Sequence, residues 1–426
     1  MKKKNWYPLD NAAKIFPAVY GSERPYNFSF SAIMSEPVDK EVLNLAVNNI
    51  LVRVPTFKTK LKRGLFWYYL ENNKKPFVVK SEPENFLGLI DFKQNNDYLF
   101  AVYYRDRKIT VVCFHALTDG NGMLEVFKEI LLEYCRLSGK AVDAHGQIKT
   151  NVAPETFNER VDNYVKHYKK TNFKIKRLKN IAHSDGTPFG YDGFGLITAT
   201  LSITELKQVL KEKGVTITEY FTGIYLYLFY KVYIKKINVK KNNVVILVPV
   251  NLRKKYDDNE SLRNFTLFAR IDHAFTKELS LDECITIASN KIREGSSDEV
   301  ISTLNYNNVK LEKNILMKLC PLFIKDIAMK IAYHFVGENY QSGDMSNVGK
   351  VVLPEELEKY VDDMYFCISG SKTSKQLIGS IGYKDKINVT FTRYFIENDF
   401  ERNFIKVLTD AGLKVTVRSN YWEKKL

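Results

Sequence analysis

His115-Ala116-Leu117-Thr118-Asp119-Gly120 is the stretch on which the reading of this chain turns. It follows an apolar run, Ile109-Thr110-Val111-Val112-Cys113-Phe114, with the length and β-branched content of a buried strand. An amphipathic helical pattern begins near Asn121. In this strand–loop–helix setting the strand delivers the imidazole to the mouth of a covered site. Asp119 can fold back and brace the loop. Gly120 is expected to take backbone angles that a side chain would forbid.

The elements on either side follow the same logic. Downstream, Met123, Leu124, Phe127, Ile130, Leu131 and Tyr134 share one helix face, and Gly139 is a natural stop. Upstream, Tyr98–Arg105 and Lys108–Phe114 read as a hairpin turning at Asp106-Arg107. Val42, Leu43, Ala46, Val47, Ile50, Leu51 and Val54 recur at helical steps between an N-cap at Asp39 and a stop at Pro55. Residues 140–190 lose periodicity. Beyond them, strand-like runs (Leu196–Ser202, Asn243–Pro249, Asn264–Ile271, Met345–Leu353, Met364–Ser369, Leu377–Tyr383, Lys386–Tyr394) mix with helical ones (Ile203–Lys213, Thr218–Ile234, Leu281–Arg293, Asn398–Ala411). The expected fold class is α/β, an α+β two-layer sandwich built twice: residues 1–165, a connector at 166–190, and residues 191–426. Two apolar tracts, Ile217–Ile234 and Ile315–Val336, are interrupted by charges and read as core-facing helices, the second as a core or tunnel-lining one, with a helix lying on a membrane surface at Lys318–Lys330 as the alternative.

Length and charge narrow the function classes. At 426 residues the chain exceeds one ordinary core. The net charge of +15 comes mainly from lysines spread along the whole chain, without an arginine-and-aromatic block, so a nucleic-acid partner is not expected. Such a field would still attract a phosphate-bearing partner. The five cysteines (Cys113, Cys135, Cys284, Cys320, Cys367) are scattered, and no His/Cys cluster has metal spacing. A reducing, cytoplasmic setting is expected, with no metal, no signal peptide and no membrane span.

The hexapeptide resembles the HxxxDG motif of the chloramphenicol acetyltransferase-like superfamily, which includes peptide-synthetase condensation domains, plant alcohol acyltransferases and polyketide-associated acyltransferases. Further segments are similar to bacterial alcohol acetyltransferase-like members: Trp6-Tyr7-Pro8-Leu9-Asp10-Asn11-Ala12-Ala13-Lys14-Ile15-Phe16-Pro17, then Arg53-Val54-Pro55-Thr56-Phe57. Val248-Pro249-Val250-Asn251-Leu252-Arg253, Arg263-Asn264-Phe265 and Ser346-Asn347-Val348-Gly349 follow in the same order. Phe114 stands where many condensation domains carry a first histidine, and the plant DFGWG segment is absent.

The resemblance implies two chloramphenicol acetyltransferase-like subdomains forming a pseudo-dimer around a central channel. It implies an acyltransferase, with an acyl thioester (acyl-coenzyme A or an acyl carrier protein) as co-substrate and no bound cofactor. The acceptor would be a small-molecule alcohol or amine, and the expected state is a monomer. A carrier-protein-dependent tailoring enzyme and a non-catalytic scaffold of the same fold are the alternatives. His115 is then the expected general base. Asp119 would pair with Arg253, whose planar fork suits a carboxylate, and brace the loop ending at Gly120. Ser346 is the expected oxyanion donor, a role whose removal typically costs about 2.7–4 kcal/mol.

Overall fold

The computed structural model describes residues 6–175, 178–189, 194–234, 242–333, 340–371 and 375–420. A small antiparallel sheet orders β1 (Trp6–Pro8), β4 (Tyr68–Asn72) and β3 (Thr59–Arg63). A five-stranded sheet runs β12 (Val361–Ile368), β2 (Asn27–Met34), β7 (Lys108–Phe114), β6 (Phe100–Arg105) and β5 (Lys80–Ser81). A seven-stranded sheet runs β10 (Thr266–Ala274), β9 (Asn243–Asn251), β11 (Gly343–Val351), β13 (Gln376–Tyr383), β14 (Lys386–Arg393), β8 (Gly195–Ser202) and β15 (Thr416–Ser419). Each large sheet is mixed and carries helices, giving the two-subdomain α/β architecture expected from the sequence.

Local chemistry explains the first half. Asp39 accepts the amides of Glu41 and Val42 and starts the Lys40–Arg53 helix. That helix buries Leu43, Ala46, Val47, Ile50 and Leu51 in a core shared with Met123, Phe127, Ile130 and Leu131 of the Gly120–Leu137 helix. Gly139, at φ +75°, terminates the latter. The β6–β7 hairpin turns at Asp106, whose φ is +49°.

The halves do not separate cleanly at the connector. β12 lies within residues 191–426, yet it pairs antiparallel with β2, Phe366 opposite Phe30. Its other side packs on the face of β13 and β14. A side chain at Gly379 of β13 would put its Cβ 2.9 Å from the Phe366 carbonyl oxygen, so glycine lets the two sheets close. Asn388 of β14 donates to Asp363 Oδ1 and to the Met364 carbonyl, both at 2.7 Å, and sews the same seam.

The two apolar tracts fare differently. The first forms the buried Ile217–Phe229 helix and a π-helical turn at Tyr230–Ile234. The second is not core. It breaks at Cys320-Pro321 into helices Ile315–Leu319 and Leu322–Ala332, because proline ends one helix and opens the next. Ile315–Leu319 buries nothing, and Leu322–Ala332 buries Leu322 and Lys325 alone. Residues 334–336 of that tract lie outside the described residues. Among the described residues no helix is long and apolar enough to cross a membrane.

Candidate active site

His115 follows directly on β7, and its amide donates to the Tyr26 carbonyl at 3.0 Å. Its Nδ1 lies 3.0 Å from Asn264 Oδ1. The Asn264 amide nitrogen donates to Asp10 Oδ2 at 3.0 Å and to the His115 carbonyl at 3.1 Å. Both amide hydrogens are therefore committed, and the oxygen must face the ring. An amide oxygen only accepts, so Nδ1 carries a proton and the neutral ring has its lone pair on Nε2. Asp10 is itself fixed. Its Oδ1 accepts the Ala13 amide at 2.8 Å, and its Oδ2 accepts Arg263 Nε and the Asn264 amide at 3.3 Å each.

Two aromatic rings hold the imidazole plane. Phe16 stacks on it at 4.9 Å with an interplanar angle of 21°, and Phe28 meets it edge-on at 5.2 Å. His115 nevertheless stays partly exposed. The arrangement presents one oriented, basic nitrogen at a solvent-reachable point, which is what proton abstraction from a bound hydroxyl or amine requires.

Asp119 points away from the imidazole and into a closed polar nest. Arg253 grips it bidentately, from one guanidinium nitrogen to Oδ2 at 2.9 Å and from the other to Oδ1 at 2.8 Å. The Gly122 amide (3.0 Å), the Phe265 amide (2.8 Å) and the Thr266 hydroxyl (2.9 Å) also donate to it. Burial by itself would raise this carboxyl, but the Arg253 guanidinium and the two amides hold it below the usual carboxylate value. Thr118 donates its hydroxyl to the Leu262 carbonyl at 2.7 Å. The loop is thus tied to the Asn251–Thr266 stretch of the second half at several points.

Gly120 corrects the expectation placed on it. It opens the Gly120–Leu137 helix without a left-handed φ, and an added Cβ would meet only Phe30 and Phe366, at 3.9 and 4.0 Å. The steric demand falls on Gly122, where a Cβ would sit 2.2 Å from Thr118 Oγ1 and 2.8 Å from the Leu262 carbonyl oxygen. The tight approach is made by the first helical turn and not by the loop end.

Ser346 lies on β11 opposite Gly379 of β13, while its neighbour Met345 points into the second core. Residues alternate along a strand and cross-strand partners share a face. Ser346 therefore faces the seam where Gly379 meets Phe366. Among the described residues no hydrogen bond joins it to His115 or its partners. The ring's own partners, Asn264, Asp10 and Phe16, sit in segments whose sequence gave no hint of their individual roles; only assembly of both halves brings them to His115. Among the described residues no group of three or more His, Cys, Asp or Glu could hold a metal ion.

No protein-family profile and no curated protein sequence matches the chain. Solved structures do. Polyketide synthase associated protein 5 from Mycobacterium tuberculosis superposes with a TM-score of 0.58 at 13% identity, covering 94% of this chain and 96% of that one. F. graminearum TRI101 complexed with coenzyme A and deoxynivalenol gives 0.61 at 10% identity, covering 96% and 99%. The first condensation domain of the CDA synthetase gives 0.58 at 12% identity, covering 95% and 96%. With likeness running the length of each, the chain has the fold of the chloramphenicol acetyltransferase-like acyltransferases and condensation domains.

Proposed function

We propose that this protein moves an acyl group from a thioester, acyl-coenzyme A or an acylated carrier protein, to an alcohol or amine. The single observation behind the reading is the orientation of a partly exposed His115 by Asn264 and Asp10, which puts the lone pair of the neutral ring on Nε2. That a structure of the same fold holds coenzyme A supports the choice of donor.

In this reading the acceptor's O–H or N–H proton passes to His115 Nε2 as the acceptor atom bonds the thioester carbonyl carbon. The carbonyl π electrons move onto oxygen. When the C=O bond re-forms, the C–S bond breaks, and the departing thiolate takes the proton back from Nε2. No acyl-enzyme is needed, since a thioester is already activated. Ser346, on the seam-facing side of β11, is the proposed donor to the oxyanion, and Asp119 with Arg253 keeps the loop in register without touching the proton. Asn264 and Asp10 are positioning residues for the ring.

The test is a mass-spectrometric screen of acyl thioesters against mixed alcohols and amines. The His115→Ala protein should lose about 10²–10⁴-fold in turnover. Asn264→Asp should put a carboxylate beside Nδ1, stabilise the imidazolium, and move the acid limb of kcat/KM up by about one pH unit. Full turnover by His115→Ala would end the reading. An unmoved acid limb in an active Asn264→Asp enzyme would remove Asn264 from it.

A further inference from the structure

The exposed helix pair after Lys313 has a composition foreign to a water-facing surface. Leu316, Leu319, Phe323, Ile327 and Ile331 each leave more than half of their surface in solvent, and so does Leu65 at the neighbouring hairpin turn. Phe323, Ile327 and Ile331 recur every four residues, so one helix face is continuously apolar. The Leu322 amide donates to the Leu65 carbonyl at 2.8 Å, which joins hairpin and helix into one surface. Scattered exposed apolar residues need no explanation, but a contiguous ridge of this kind marks a docking surface.

The ridge is held outward by polar bonds beneath it. Lys325 turns inward, donates to the Phe66 carbonyl at 2.8 Å and lies 3.7 Å from the Trp67 ring centre. Asp326 is taken by Arg63 at 3.0 Å and by the Tyr68 hydroxyl at 3.1 Å. Glu312, just before the pair, is taken by Lys14 and by Asn11. The acids of this region are thereby neutralised. Lys318 and Lys330, in the same two helices, have no carboxylate partner among the described residues and are exposed. What faces outward is apolar and cationic together.

We infer that this face docks on an anionic lipid bilayer, with the helix pair lying in the interfacial plane. An apolar ridge flanked by lysines is what such an interface recognises: the ridge enters the acyl boundary while the lysines meet lipid phosphates. A symmetric second copy fits less well, since it would face Lys318 and Lys330 with their own equivalents and supply no free acid. The chain's overall charge of +15 adds attraction from a distance. The face also lies close to His115. The Leu322–Ala332 helix packs against the Phe16–Val19 helix, whose Phe16 stacks on the imidazole. Tyr333, which follows it, meets the Tyr26 ring edge-on at 5.8 Å, and Tyr26 holds the His115 amide. The docking stands whether or not His115 transfers acyl groups.

Vesicle flotation tests it. The full chain should float with mixed phosphatidylcholine–phosphatidylglycerol vesicles and stay down with phosphatidylcholine alone. Replacing Leu319, Phe323 and Ile327 together by serine should cut binding at least tenfold. Lys318→Glu with Lys330→Glu should weaken it by about fivefold for each lysine lost, and more from the added repulsion. Circular dichroism should show both variants folded as the parent, because these side chains support nothing inside. Absence of flotation at low salt, or flotation unchanged in both variants, overturns the proposal. So does light scattering that shows a dimer abolished by the serine variant.

Discussion

Among the described residues, Arg253 and Arg53 are buried arginines that each grip a carboxylate through two nitrogens, and their acids are satisfied to different degrees. Arg253 reaches across the seam to one aspartate, which five donors in all surround. Arg53 stays within the first half and is shared: Nε and one terminal nitrogen bind Glu129, and the other binds Glu159 at 2.9 Å. Lys149 also reaches Glu159, at 3.1 Å. Burial pushes the Glu129 carboxyl up to about 8, Arg53 pulling against it and Glu159 adding repulsion. An acid with its own cation, completed by amides, holds its charge; Glu129, buried and sharing Arg53 with Glu159, is ready to accept a proton.

Removing the cation is the strongest way to break this comparison. Arg253→Met strands Asp119 with no partner charge and should cost about 3–5 kcal/mol in urea unfolding. Arg53→Met should cost less near neutral pH, because Glu129 already holds a proton there and Glu159 keeps Lys149. Equal losses would show that the sharing has no energetic consequence.

Proton titration separates the two sites more finely. The lowered Asp119 carboxyl contributes stability above its unfolded value, and that contribution fades as pH falls through the folded value. Glu129 has the opposite sign. Its folded carboxyl holds a proton that the unfolded chain has already released, so its contribution declines as pH climbs from the ordinary carboxylate range to about 8. Unfolding free energies measured along pH should therefore flatten at the alkaline side in Glu129→Gln and at the acid side in Asp119→Asn. A Glu129→Gln protein with the parent's alkaline slope would contradict the assignment.

The smallest effects concern the glycines beside the Asp119 nest. Gly122→Ala drives a methyl into Thr118 and the Leu262 carbonyl and should lose about 1–3 kcal/mol. Gly120→Ala meets only ordinary contacts and should stay within about 0.5 kcal/mol of the parent. Calorimetry that ranked them the other way would move the steric constraint back to the loop.

Much of the fold was legible because apolar periodicity reports which face of an element is buried. The Asp39 cap, the Asp106 turn, the Gly139 stop and the alternation of strands and helices in both halves all follow from short-range chemistry. Periodicity does not report what covers a face. The Ile315–Val336 tract reads as core because its apolar residues are spaced for one, yet Leu316, Leu319, Phe323, Ile327 and Ile331 stay mostly in solvent. The site was legible to the same depth. His115 and Asp119 stand out by residue type and setting, and Arg253 through the resemblance carried by Val248–Arg253. Asn264 and Asp10 act through the direction of a single amide, fixed by a pairing 254 residues apart in the chain, and no local pattern encodes that. Gly122 gives no sign of its constraint because one of its two obstacles, the Leu262 carbonyl, belongs to the other half and the other, the Thr118 hydroxyl, is turned onto it by that carbonyl.

β12 has a consequence for how the chain is made. While the ribosome is still working toward Val361, β2 has β7 on one flank and nothing on the other. An unpaired strand edge of this length is adhesive to other nascent chains. The early part of the protein must therefore be shielded until Val361–Ile368 has been synthesised. A gene fragment ending at the connector would yield an open-edged, aggregating product, not a small independent unit.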